Sequence, residues 1–234
     1  AKEYVDSVFY DGSGNSLAYL YGFEYAGVKQ EINVNKQGDI EMLYPKVNKV
    51  ELSNYGYLVN WQQDRAPWLL AQLLQEKIIV KVATAAFSAN KAGKVYLFSY
   101  GSLFIPSTGQ DKTSEEIQQI IQKLISKSNL EVVEAQTGFS VSGVDLGSNQ
   151  FKVIKPTNVL LVTGIGVNAS EAGEVWHSFE QELERSLVRI NTESLAKANL
   201  NNFQVVILVN GDYSNLNKGV TEKLVKPVIH SFKS

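Results

Sequence analysis

The chain has 234 residues, 44% apolar and 20% charged, with five prolines and seventeen glycines; this is the make-up of a folding globular protein rather than a low-complexity one. A formal charge of −2 gives no reason to expect nucleic acid or an anionic membrane as partner, and no apolar run approaches the roughly 18–20 residues that span a bilayer. The absence of cysteine excludes a disulfide framework, a thiolate zinc site, an iron–sulfur cluster and a cysteine nucleophile.

The start at Ala1-Lys2-Glu3, with Met42 the one methionine and no signal peptide, reads as a processed chain or a piece of a longer one. Residues 1–50 form a connecting segment: aromatic-rich YGFEYAG at 21–27, then EINVNKQGDIEML at 31–43. In the latter, Ile32, Val34, Ile40 and Met42 alternate with polar residues around a Gly-Asp turn, which predicts a β-hairpin.

Residues 51–155 read as a first α/β unit. YGYLV (55–59) is a strand, and Pro67 suits the first turn of a helix carrying Leu69, Leu70, Leu73 and Leu74. Strands are predicted at 78–83, 95–98 and 102–105. Thr113-Ser114-Glu115-Glu116 has capping-box spacing, and Ile117, Ile120, Ile121, Leu124 and Ile125 then trace one helical face. LEVVEA (130–135) is a strand, followed by a long loop over 136–157.

Residues 156–234 read as a second unit: strand NVLLVT (158–163), helix about 170–186, a short strand at 187–190, a helical turn near 194–199 and strand QVVILV (204–209). Strands alternating with helices predict a mainly parallel sheet with helices on both faces, flavodoxin-like in layering.

Gly164 to Ala169 matches G-x-G-x-x-A between strand and helix, the pattern of a dinucleotide-binding turn. Glu171 and Glu174 put negative charge at the end of the helix dipole that would face a pyrophosphate, and Asn168 with Glu171 has capping-box spacing. The expectation is therefore a tight turn without a nucleotide. His177 and Glu180 are spaced as H-x-x-E, but zinc needs a third ligand, and the other histidine is the distant His230. No metal site is expected. No G-x-S-x-G elbow is present, and no catalytic residue is assigned. The candidate ligand-binding residues lie where strands end: Trp61, Asp64 and Arg65 after the first strand, Gly164, Gly166 and Asn168 after the strand 158–163, and Asp212 after the strand 204–209. For Trp61, Asp64, Arg65 and the neighbouring Trp68, packing and helix capping are the plainer roles.

SGVDLGSNQF (142–151), KPTNVLLVTGIGVNASEAGEVWHSFEQE (155–182) and NFQVVILVNGDY (202–213) together resemble the amidotransferase-like region C-terminal to the catalytic domain in bacterial zinc carboxypeptidases of the carboxypeptidase A type. Residues 8–27 and 55–89 resemble the segments that join the two. The resemblance implies a class I glutamine amidotransferase-like fold in a periplasmic or secreted protein. Its partner would be a metallopeptidase domain of the same chain, with peptide as a further partner, and zinc would belong to that domain with no cofactor in this one. Glutaminase activity is not implied, because the nucleophile of that family is a cysteine. The resemblance would also leave the second unit short, at LVKPVIHSFKS. The expected role is an accessory domain that supports or positions the peptidase or its substrate; the alternative is a small-molecule or peptide-binding module.

Overall fold

The computed structural model describes residues 49–128, 130–214 and 216. The hairpin predicted over 31–43 and the aromatic stretch 21–27 lie outside the described residues, as does His230.

The first half is built on β1 (Gly56–Val59), α1 (Ala66–Gln75), β2 (Lys81–Ala83), the hairpin of β3 (Phe87–Lys91) and β4 (Lys94–Phe98), β5 (Leu103–Pro106), α2 (Ser114–Ile125) and β6 (Val133–Ala135). Two further short strands follow, β7 (Ser142–Gly143) and β8 (Phe151–Val153). The main sheet has the order β6-β1-β5-β2-β8, and every neighbouring pair in it is antiparallel. A second antiparallel sheet has the order β4-β3-β7.

This corrects the expected mainly parallel sheet, both in its flavodoxin-like layering and in the class I glutamine amidotransferase-like fold that the resemblance implied. The strand–helix–strand rhythm was legible, but each crossover skips one position. β1 and β2 run the same way with β5 inserted between them; β5 and β6 run the same way with β1 between them. Two interlocked split β-α-β units of this kind form the ferredoxin-like arrangement. Its helices share one face of the sheet, in place of the two-sided covering expected.

The packing follows from that topology. On the helical face, Leu69 and Leu73 of α1 and Ile117, Ile121 and Ile125 of α2 meet Tyr57, Val59, Leu103 and Ile105 in one core. α2 opens with the predicted capping box: Glu116 N donates to Thr113 Oγ1 at 3.2 Å, and Thr113 N to Glu116 Oε2 at 2.8 Å. On the opposite face a second core gathers Leu58, Phe104 and Phe151 under the β3–β4 hairpin. There Phe87 stacks on Phe98 with centroids 4.9 Å apart and meets Phe151 edge-on at 5.2 Å. The hairpin turns at Ala92-Gly93, both at positive φ (50° and 85°), as a two-residue turn of the primed type requires. Buried Glu134 of β6 ties this layer down, accepting from Lys91 Nζ and, at 2.7 Å, from Glu51 N. Tyr57, fully buried, accepts from Ser53 N at 3.2 Å; burial foremost pushes its hydroxyl above the ordinary value of 10.0.

The second half is the parallel part. β9 (Val159–Thr163) lies between β10 (Val188–Asn191) and β11 (Val205–Ile207) in the order β10-β9-β11. α3 (Ala169–His177) connects β9 towards β10 and runs into a π-helical turn at Ser178–Glu182; the short α4 (Thr192–Leu195) and a 3₁₀ turn at Leu200–Asn202 precede β11. The predicted long helix thus changes its winding at Ser178. Beyond it, Leu183 O and Glu184 O accept from Gln72 Nε2 and Gln75 Nε2 of α1, each at 3.0 Å, and Leu183 packs on the first core.

Candidate functional site

β9 is the spine of the site. Leu160, Leu161 and Val162 are fully buried, between two small cores on either side of the parallel sheet. The strand delivers Gly164 and Gly166, at φ +99° and +88°, to its C-terminal end, where parallel strands leave room for ligands. A side chain is barred at Gly166, since an added Cβ would stand 2.3 Å from Asp212 O.

The loops after β9 and β11 are clasped together. Asp212 N donates to Gly166 O at 2.7 Å, Asn168 N to Asn210 O at 2.9 Å, and Val167 and Gly211 form an isolated antiparallel bridge. Asn168 caps α3, its Oδ1 accepting from Ser170 N at 3.0 Å and Glu171 N at 3.2 Å. Glu171 Oε2 in turn accepts from Asn210 N at 2.9 Å. These donors are therefore committed within the protein and a carboxylate stands beside them, so the turn does not fit a pyrophosphate. Hydrogen bonds from Ser214 hold the Asp212 carboxyl below its ordinary value of 3.8. Burial and the Glu171 charge raise the hydroxyl of Tyr213, which donates to Val209 O at 2.7 Å.

Beside the clasp, between α3 and β10, opens a cleft of about 350 Å³ lined by Thr163, Gly164, Val167, Ala169, Ala172, Gly173, Trp176 and Arg189. Small residues make the room. Ala169 and Gly173 stand one turn apart on α3, and a Cβ added at Gly173 would meet nothing within 4 Å. The Arg189 guanidinium lies over the Trp176 ring, 4.0 Å from its centroid, and among the described residues Arg189 has no carboxylate partner. The cleft thus offers apolar walls, an exposed indole edge and a guanidinium that no carboxylate among the described residues neutralises.

The seven residues picked from sequence fall into two groups. Gly164, Gly166, Asn168 and Asp212 meet in the clasp, and Gly164 also lines the cleft. Trp61, Asp64 and Arg65 belong to the loop between β1 and α1 on the antiparallel sheet. There Arg65 lies 4.7 Å over the ring of buried Trp68, and the Trp61 ring lies beside Gly101. The sequence reading passed over Trp176 and Arg189. Nothing in the linear pattern joins them, because they come together only when β10 aligns in parallel register with β9. His177 ends α3 and Glu180 falls in the π turn; among the described residues no group of three metal-ligating side chains is assembled. No helix among them is long and apolar enough to cross a membrane.

Comparison of the chain with protein-family models, with curated proteins and with solved structures finds no match.

Proposed function

We propose that this chain is a non-catalytic binding module whose ligand, a small molecule or the end of a peptide, seats in the cleft between α3 and β10. The observation that carries the reading is the cleft itself: walls of small residues beside a Trp176–Arg189 pair whose cation has no carboxylate partner among the described residues. Apolar walls with a few convergent polar groups are the usual construction of a small-ligand site. The resemblance of residues 142–151, 155–182 and 202–213 supports the accessory role beside a zinc-carboxypeptidase-like domain, periplasmic or secreted, and makes peptide the first ligand to try. That resemblance no longer carries the flavodoxin-like layering it implied.

The test is calorimetric titration of the chain with peptides, nucleotides and sugars, alongside Trp176→Ala and Gly173→Leu variants. Saturable binding of one ligand class, weakened about tenfold by loss of the indole and by filling of the cleft, supports the reading. No saturable binding by any class, or binding indifferent to both changes, overturns it. The accessory role is tested separately, by release of C-terminal residues from peptides by the parent protein with and without this chain. An unchanged rate and specificity removes it.

A further inference from the structure

A second trough lies on the antiparallel half. One row of side chains crosses a single face of the main sheet, Val133, Leu58, Phe104, Lys81 and Val153 being successive cross-strand neighbours. The first three are buried apolar residues of the second core, and the row then breaks its own pattern with a lysine. β2, which carries Lys81, is not an edge strand; β8 pairs outside it. Lys81 lines a trough of about 540 Å³ whose apolar side is Tyr55, Ile79, Phe104, Leu146 and Val153; Asn54 and Thr108 bring neutral polar groups to the same lining. Lys81 is the one charged residue in that lining, and among the described residues it has no carboxylate partner. Tyr55, Ile79 and Val153 keep 48%, 37% and 54% of their surface open, so the apolar walls are accessible.

A single half-buried ammonium in apolar walls is complementary to one negative charge carried on an apolar body. We infer that this trough binds a monocarboxylic acid with an apolar chain. Lys81 takes the carboxylate and the Tyr55–Ile79–Val153 side takes the chain. The site is independent of the cleft between α3 and β10, sharing no lining residue with it.

The probes are octanoate and its uncharged match octanamide, titrated calorimetrically into the full chain. Octanoate is expected to bind saturably, one per chain, and about tenfold or more tighter than octanamide. Lys81→Gln is expected to bring octanoate down to the affinity of the amide. Val153→Glu sets a carboxylate directly across from Lys81 at an exposed position where folding is not at stake, and is expected to abolish octanoate binding. Equal affinities for acid and amide, no saturable binding of octanoate, or undiminished binding in either variant overturns the proposal. So does a loss of octanoate binding in Trp176→Ala with Lys81→Gln unaffected, which would put the acid in the other cleft. If Lys81 serves only to keep the short edge beside it from pairing with other chains, Lys81→Gln promotes self-association without changing octanoate affinity, and the proposal fails.

Discussion

The two halves of the described structure are held by different means. In the antiparallel half all four residues of β1 are buried, and α1 and α2 contribute five and four buried residues to the sheet they cover. In the parallel half the central β9 buries three residues, but α3 buries only Ala172 and β11 none, and order at the C-terminal end of the sheet comes from backbone hydrogen bonds between two loops. The difference teaches where each kind of interaction suffices. Apolar burial fixes the scaffold, and a loop clasp fixes the edge of a cleft whose walls have been kept small.

The comparison breaks if core truncation is felt equally in both halves. Leu73→Ala, at a fully buried site of the first core, is expected to cost about 2–5 kcal/mol in urea unfolding, whereas Val206→Ala on half-buried β11 is expected to cost about 1 kcal/mol. Equal losses would mean that the parallel half is as tightly cored as the other.

Next in size is Gly166→Ala. It forces a left-handed φ on alanine and drives its Cβ against Asp212 O, for an expected loss of about 1–3 kcal/mol. Hydrogen exchange sharpens this: amides of 159–168 and 205–212 should lose protection while those of β1 and β5 keep theirs. Asn168→Ala removes the α3 cap and is expected to cost about 1 kcal/mol, confined to the same region.

The smallest effects are those of pH, and they separate the halves at opposite ends of the scale. Because the Tyr57 hydroxyl is raised in the folded state, its contribution is complete below 10.0 and is lost as pH rises through the folded value. Alkaline destabilisation of the antiparallel half should therefore be blunted in Tyr57→Phe. Asp212 is lowered, so its contribution is complete above 3.8 and is lost as pH falls through the folded value. Loosening of the clasp in acid, followed by exchange at 210–214, should disappear in Asp212→Asn.

Much of the local structure was legible because it rests on local chemistry. The capping box at Thr113 and Glu116, Pro67 at the start of α1 and the Gly164–Asn168 turn are all read from residues within four positions of one another. Strand direction was not legible, since nothing in 78–83 or 102–105 says that β5 will enter between β1 and β2. That choice is made by long-range packing, in which both helices bury their apolar faces on one side of the sheet while Phe87 and Phe98 of the β3–β4 hairpin pack with Phe104 and Phe151 on the other. The clasp half of the site was visible as glycines at strand ends. The cleft half was not, because its signature is an absence of side-chain volume at Ala169 and Gly173.

The Gly166–Asp212 contact also sets an order in time. It joins residues far apart in sequence, and Asn168 must meet Asn210 in the same event, so closing the clasp waits until β11 has found its place beside β9. On a chain made from its N-terminus, the described residues of the antiparallel half emerge before β9 and β11, and the rim of the cleft needs both of those strands in place.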